Sequence, residues 1–121
     1  MYEVRVESRF SAAHALREYE GNCERLHGHN WKVEIRLASE ALNDQGLAID
    51  FRLAKALLNE VLEGLDHRFL NDLEPFREKN PSTEVLARYI FEELTARLPG
   101  GVELTEVTAW ETPGCAATYR P

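Results

Sequence analysis

Long apolar runs are missing from this chain. No stretch is long enough to cross a bilayer as a helix, and the opening residues, Met-Tyr-Glu-Val-Arg-Val, lack the pattern of a secretion signal. Both absences point to a cytoplasmic protein with no membrane partner. Cysteine is scarce: Cys23 and Cys115 are the whole complement, too few for a disulfide scaffold. In a reducing compartment each thiol is then either buried filler or a reactive group. Positive charge is short too, with 14 Lys and Arg against 21 Asp and Glu and a formal net charge of -7. No basic stripe offsets that balance, which argues against a nucleic-acid partner and obliges any phosphate site to cluster arginine or lysine locally. Internal repeats, low-complexity tracts and linkers are absent as well. The 121 residues, 44% hydrophobic and 29% charged, fit a single soluble domain over 1–121.

What the chain does have is alternation that ends in histidine. Residues 2–14 place Tyr2, Val4, Val6, Phe10, Ala12 and His14 on one face and Glu3, Arg5, Glu7 and Arg9 on the other, the pattern of a half-buried strand. After a polar loop, residues 26–38 alternate again. His27, His29, Trp31, Val33, Ile35 and Leu37 share one face; Gly28, Asn30, Lys32, Glu34 and Arg36 take the other. A hairpin of these two strands gathers His14, His27 and His29 on its inner face. Neutral imidazole is a good zinc ligand, and three of them leave a fourth coordination position open, the mark of a catalytic site.

Beyond this pair, Asp50 is a helix N-cap, followed by Leu53, Leu57, Leu58, Val61, Leu62 and Leu65 at helical spacing, with Gly64 as terminator. Asp66 and His67 stand just past that helix, where a carboxylate next to an imidazole raises its basicity and fixes its orientation. Ser82 or Thr83 caps a second helix running to about 98, with Val85, Leu86, Tyr89, Ile90, Leu94 and Leu98 as its buried stripe. Strands over 102–111 and 115–119 flank a Thr-Pro-Gly turn, and Glu111 sits where strand meets turn, facing a ligand or water. The order ββααββ predicts an α+β domain, two helices on one face of a four-stranded antiparallel sheet. Its two open edges favour edge-to-edge assembly into a symmetric oligomer.

Six segments carry a further resemblance: Phe10-Ser11-Ala12-Ala13-His14, Cys23-Glu24-Arg25-Leu26-His27-Gly28-His29-Asn30, Ile49-Asp50-Phe51, Leu65-Asp66-His67-Arg68-Phe69-Leu70-Asn71, Asn80-Pro81-Ser82-Thr83-Glu84 and Trp110-Glu111-Thr112. Across essentially its whole length the chain resembles the 6-pyruvoyltetrahydropterin synthase family, and most its bacterial 6-carboxytetrahydropterin synthase branch of queuosine biosynthesis. The resemblance implies the tunnelling fold, with subunits pairing sheet edges into a barrel, a homohexamer of two trimers and active sites between subunits. It implies zinc on His14, His27 and His29, a base role for Cys23, a proton relay through Asp66 and His67, and substrate-binding roles for Glu111, as pterin anchor, and Thr83. The implied substrate is 7,8-dihydroneopterin triphosphate, lysed with loss of triphosphate and, in the bacterial branch, acetaldehyde. Arg9, Arg25, Lys32 and Arg68 are triphosphate candidates by sequence proximity alone.

Three other readings stay open on the sequence. A 6-pyruvoyl product fits the same motifs. Glu24, adjacent to Cys23, would suit dihydroneopterin-aldolase-like cleavage in folate synthesis. Cys23 could instead close a structural His-Cys metal clip in a non-enzymatic interaction module.

Overall fold

The computed structural model describes residues 1–20 and 25–121. The long alternations form the two longest strands, β1 (Tyr2–His14) and β2 (His27–Ser39), paired antiparallel from Tyr2 opposite Ser39 to His14 opposite His27. After β2 the chain enters helix α1 (Phe51–Glu63), where the Asp50 carboxylate accepts the Arg52 amide at 2.8 Å and Gly64 stands at the C-cap. Helix α2 (Thr83–Thr95) starts from Ser82, whose hydroxyl accepts the Val85 amide at 3.2 Å. Strands β4 (Glu103–Thr112) and β5 (Cys115–Tyr119) close the chain as a tight hairpin through Pro113 and Gly114.

The sheet has five strands, not the expected four. Between α1 and α2, Arg68–Phe69 forms a two-residue strand, β3, parallel to β1 at Ala12 and Ala13, giving the order β3-β1-β2-β4-β5. Its cause lies one residue upstream: the His67 amide donates to the Ser11 carbonyl at 2.6 Å and the Ser11 amide to Asp66 Oδ1 at 2.9 Å. Those two bonds lay the chain against the edge of β1, where two more residues pair as a matter of course.

Both helices cover the same sheet face, α1 over β1 and α2 over β4 and β5. The residues of central β2 on that face, Trp31, Val33, Ile35 and Leu37, have no solvent exposure at all. Helix α1 contributes Ala54, Leu58, Val61 and Leu62, whereas Leu53, expected inside, is 45% exposed because it lies on the shoulder of the helix. Helix α2 buries Ala87 and Phe91 beside the expected Leu86, Ile90 and Leu94. The uncovered face is a polar mosaic: Arg36 reaches Glu106 at 3.0 Å, Arg120 reaches Glu106 at 2.6 Å and Lys32 approaches Glu7 at 3.8 Å. One end of the covered face carries the histidines.

Candidate metal centre

Strand register brings the three histidines together. His14 faces His27 directly across the ladder, and His29 faces Ala12, two residues before His14 on the same side of the sheet. Ring centroids are 4.5 Å apart for His14 and His27, 4.7 Å for His27 and His29, and 5.4 Å for His14 and His29. Trp31 forms the floor, its ring edge-on to His14 at 5.1 Å and to His29 at 5.5 Å, with its indole N–H donating to the Ala12 carbonyl.

Glu111 joins them. It lies near the end of β4, and its Oε1 is 2.9 Å from His14 Nε2 and 3.4 Å from His29 Nε2. One ligand atom from each of His14, His27, His29 and Glu111 lies within 4.8 Å of all the others. Sequence reading brings out Glu111 as a ligand-facing residue but not its place among the imidazoles. Its face follows from alternation with Val107 and Ala109, which pair Ile35 and Val33, but the register shift against Arg36 and Leu37 changes the inward phase of β4 after Leu104 and hides that alternation in the sequence.

The donor set fits a cation. A backbone carbonyl only accepts, so the 2.8 Å bond from His14 Nδ1 to the Pro81 carbonyl puts the ring proton on Nδ1 and the lone pair on Nε2. His27 Nδ1 bonds the Arg25 carbonyl at 2.9 Å, with the same consequence. His14 Nε2 is shielded from solvent and makes no hydrogen bond, although Glu111 Oε1 stands at 2.9 Å. Two acceptors held that close repel unless a positive charge lies between them, and three imidazoles with one carboxylate are a donor set for a divalent ion. The Glu111 side chain is 29% exposed, against 19% for His29 and 2% for His14.

Asp66 and His67 form a second constellation. Asp66 Oδ2 lies 2.9 Å from His67 Nδ1, while Oδ1 accepts the Ser11 amide. His67 sits at φ +57°, a left-handed backbone that costs a residue with a Cβ roughly 1–2 kcal/mol. The bonds to Ser11 hold it there. Its ring is largely exposed. His67, Arg68 and Phe69 line a cavity of about 490 Å³ with Gly28, His29 and Asn30; of the histidine cluster only His29 is among its lining residues. Thr83 occupies the first turn of α2, half-buried, directly after Pro81 and Ser82. Cys23 and Glu24 lie outside the described residues. Of the triphosphate candidates, Arg9 and Lys32 meet on the uncovered sheet face in a hollow of about 220 Å³ with Trp110, and Arg68 lines the larger cavity.

The Ser11 amide, and after it the His67 ring, hold the Asp66 carboxyl below its ordinary value of 3.8. A folded-state pKa below the unfolded one stabilises the native state at all pH above the ordinary value, and that contribution fades as pH falls through the lowered one. The docking of β3 on β1 should therefore survive mild acid and loosen only in strong acid. Comparing denaturation midpoints of the native protein and Asp66→Asn between about pH 5 and about pH 2 checks this: the native curve should fall toward the variant's, and parallel curves would refute it.

Fold and site together define a class: small α+β domains with a candidate three-histidine metal centre at one end of a largely antiparallel sheet. The comparison with known proteins is narrower. The chain belongs to the family described as 6-pyruvoyl tetrahydropterin synthase, whose model matches residues 3–121. It is 34% identical to the 6-carboxy-5,6,7,8-tetrahydropterin synthase of Bacillus subtilis, over 99% of this chain and 86% of that one. It is 37% identical to the dihydroneopterin monophosphate aldolase of Pyrococcus furiosus, over 84% of this chain and 82% of that one. Among solved structures, the 6-pyruvoyl tetrahydropterin synthase of Caenorhabditis elegans superposes with a TM-score of 0.85 at 28% identity, covering 99% of this chain and 95% of that one. Among the described residues no helix is long and apolar enough to cross a membrane.

Proposed function

We propose that this protein is a zinc-dependent lyase that converts 7,8-dihydroneopterin triphosphate and water to 6-carboxy-5,6,7,8-tetrahydropterin, acetaldehyde and triphosphate, in cytoplasmic queuosine biosynthesis. The observation that carries it is the convergence of His14, His27, His29 and Glu111 in a chain so similar to a synthase of that name. His14, His27 and His29 hold the zinc, which when bound supplies Lewis-acid polarisation of the substrate's side-chain hydroxyls.

The chain's own groups do the rest. Glu111 accepts a pair of hydrogen bonds from the amino-pyrimidine edge of the pterin, for which its carboxylate turns away from the histidines. The Thr83 hydroxyl adds a contact to the same ring. Asp66 holds the His67 proton on Nδ1, leaving Nε2 to take or return a proton on the substrate side chain. Cys23 serves as the base at carbon. Arg68 lines a cavity with His67 and His29 and suits a phosphate.

The sheet supports assembly. Strand β5 is an edge, and β1 meets only two residues of β3 on its outer side. Edge pairing between copies into a homohexamer with active sites between subunits satisfies both edges.

The similarity to an aldolase favours one second reading, cleavage of a dihydroneopterin to 6-hydroxymethyl-dihydropterin with Glu24 taking part. Mass spectrometry of the products formed from dihydroneopterin triphosphate with zinc present separates the two. We expect 6-carboxytetrahydropterin and stoichiometric acetaldehyde. Release of 6-hydroxymethyl-dihydropterin would install the aldolase reading, and a 6-pyruvoyl product would reassign the reaction within the family.

A further inference from the structure

Two motifs leave an asparagine without a part in the chemistry: Asn71 closes Leu65–Asn71 and Asn80 opens Asn80–Glu84. In the fold both turn back to the segment that follows His14. The Asn71 side-chain amide exchanges two hydrogen bonds with the Ala15 backbone, accepting its N–H at 3.0 Å and donating to its carbonyl at 2.7 Å. Asn80 does the same with Arg17, at 2.7 and 3.0 Å. Each amide copies one rung of an antiparallel ladder, so β1 is in effect continued for two rungs against side chains instead of a strand. Arg17 completes the arrangement. Its guanidinium donates to the carbonyls of Asn71, Phe76 and Lys79 at 3.1, 2.8 and 3.1 Å, gathering the connector between β3 and α2 around one charge. Directly after Arg17, Glu18 stands at φ +56°, a strained backbone that persists only where its surroundings over-determine it.

The connector delivers one group to the metal cluster, the buried Pro81 carbonyl on His14 Nδ1 at 2.8 Å. Asn80 is bonded to Arg17 and its neighbour Pro81 to His14, so both ends of the contact are tied by adjacent residues. We propose that Asn71, Asn80 and Arg17 are positioning residues for the metal centre, fixing the Pro81 carbonyl so that His14 keeps its proton on Nδ1 and presents a lone pair from Nε2. This rests on the reading of His14 as a metal ligand. The physical link is the tautomer. In water a neutral histidine side chain favours the proton on Nε2. A fixed acceptor at Nδ1 reverses that preference, and a ring protonated at Nε2 cannot coordinate through Nε2, the atom turned toward Glu111. Hydrogen bonds weaken steeply with misalignment, so a slack connector gives up the tautomer before it gives up the fold.

The test uses the metal-stripped full-length protein and its Asn80→Ala variant, at a temperature where the far-ultraviolet circular dichroism of both is native. Zinc alone is titrated in competition with a chelator. Long-range proton–nitrogen correlation spectra of histidine-labelled protein report which ring nitrogen of His14 carries the proton. Losing an orienting partner of a metal-bound histidine weakens metal binding roughly 10–100-fold, and we expect a loss in that range, with the His14 signal moving toward the Nε2–H form. Zinc affinity within twofold of the native protein, with His14 still protonated at Nδ1, would overturn the proposal. A clamp that only folded the connector would lower the melting temperature and leave the tautomer untouched. If the native protein itself binds no zinc, the ligand reading fails, while the spectra of the two metal-free proteins still decide the positioning role. If Asn80→Ala does not fold, Asn80→Asp keeps the acceptor for the Arg17 N–H, loses the donor and carries the same two expectations.

Discussion

Changing His29 to alanine should abolish stoichiometric zinc binding and take turnover down with it. His29 lies on β2 with its ring 19% exposed and sits at the rim of the cluster, not in the core. Its removal therefore leaves the packing of Trp31, Val33 and Ile35 intact, and the fold should hold. On the proposed reading it removes one of three nitrogen donors to the metal. Residues that merely orient a metal ligand already cost 10–100-fold when lost, so losing the ligand itself should exceed roughly 100-fold in metal affinity and in kcat/KM. Equilibrium dialysis against zinc and initial rates with dihydroneopterin triphosphate are the two readouts, with circular dichroism as the control for folding. A folded His29→Ala protein that still carries one zinc per chain would show that the other donors suffice without it.

The largest effect on stability should come from Trp31→Ala. This side chain has no solvent exposure, stacks on Phe10 at 5.9 Å and touches the rings of both His14 and His29. Truncating a large buried aromatic costs about 3–5 kcal/mol in lost transfer energy and residual cavity. The indole N–H also satisfies the Ala12 carbonyl, and a buried acceptor left alone adds to the penalty. Against a typical stability of about 5–15 kcal/mol the change is large, and the chemical denaturation midpoint should drop without a change in slope. Because Trp31 is the floor of the cluster, zinc affinity should fall in the same variant. Trp31→Phe keeps an aromatic floor and should cost markedly less on both counts. Equal losses in the two variants would mean that the indole's bulk matters little and its N–H nearly everything.

The histidine cluster was legible because it is built on the most regular part of the chain. Two long strands alternate strictly, and a period of two fixes which side chains share a face once the strands pair. Reading His14, His27 and His29 onto one face needed only that, and the family resemblance agreed. Asp50 and Gly64 were legible as helix ends, and the second cap to within Ser82 or Thr83, because capping is local chemistry. Other features depend on contacts between residues far apart in sequence. Strand β3 exists because Ser11 captures Asp66 and His67, and two residues carry no period of their own. Glu111 enters the cluster on the face of Val107 and Ala109, but the register shift between Leu104 and Glu106 changes the phase of β4 and blurs its alternation in the sequence. Leu53 fits the helical stripe but faces out, since a spacing rule does not say where the neighbouring strand ends. The asparagine rungs at Ala15 and Arg17 join residues 56 and 63 positions apart and have no signature short of the fold.

The most direct measurement is a crystal of the protein grown with zinc, with anomalous diffraction collected on both sides of the zinc absorption edge. One anomalous peak per chain is expected, with Nε2 of His14, His27 and His29 at about 2.0–2.1 Å from it. Three rings splayed apart with no peak between them, in protein given stoichiometric zinc, would contradict the account at its base.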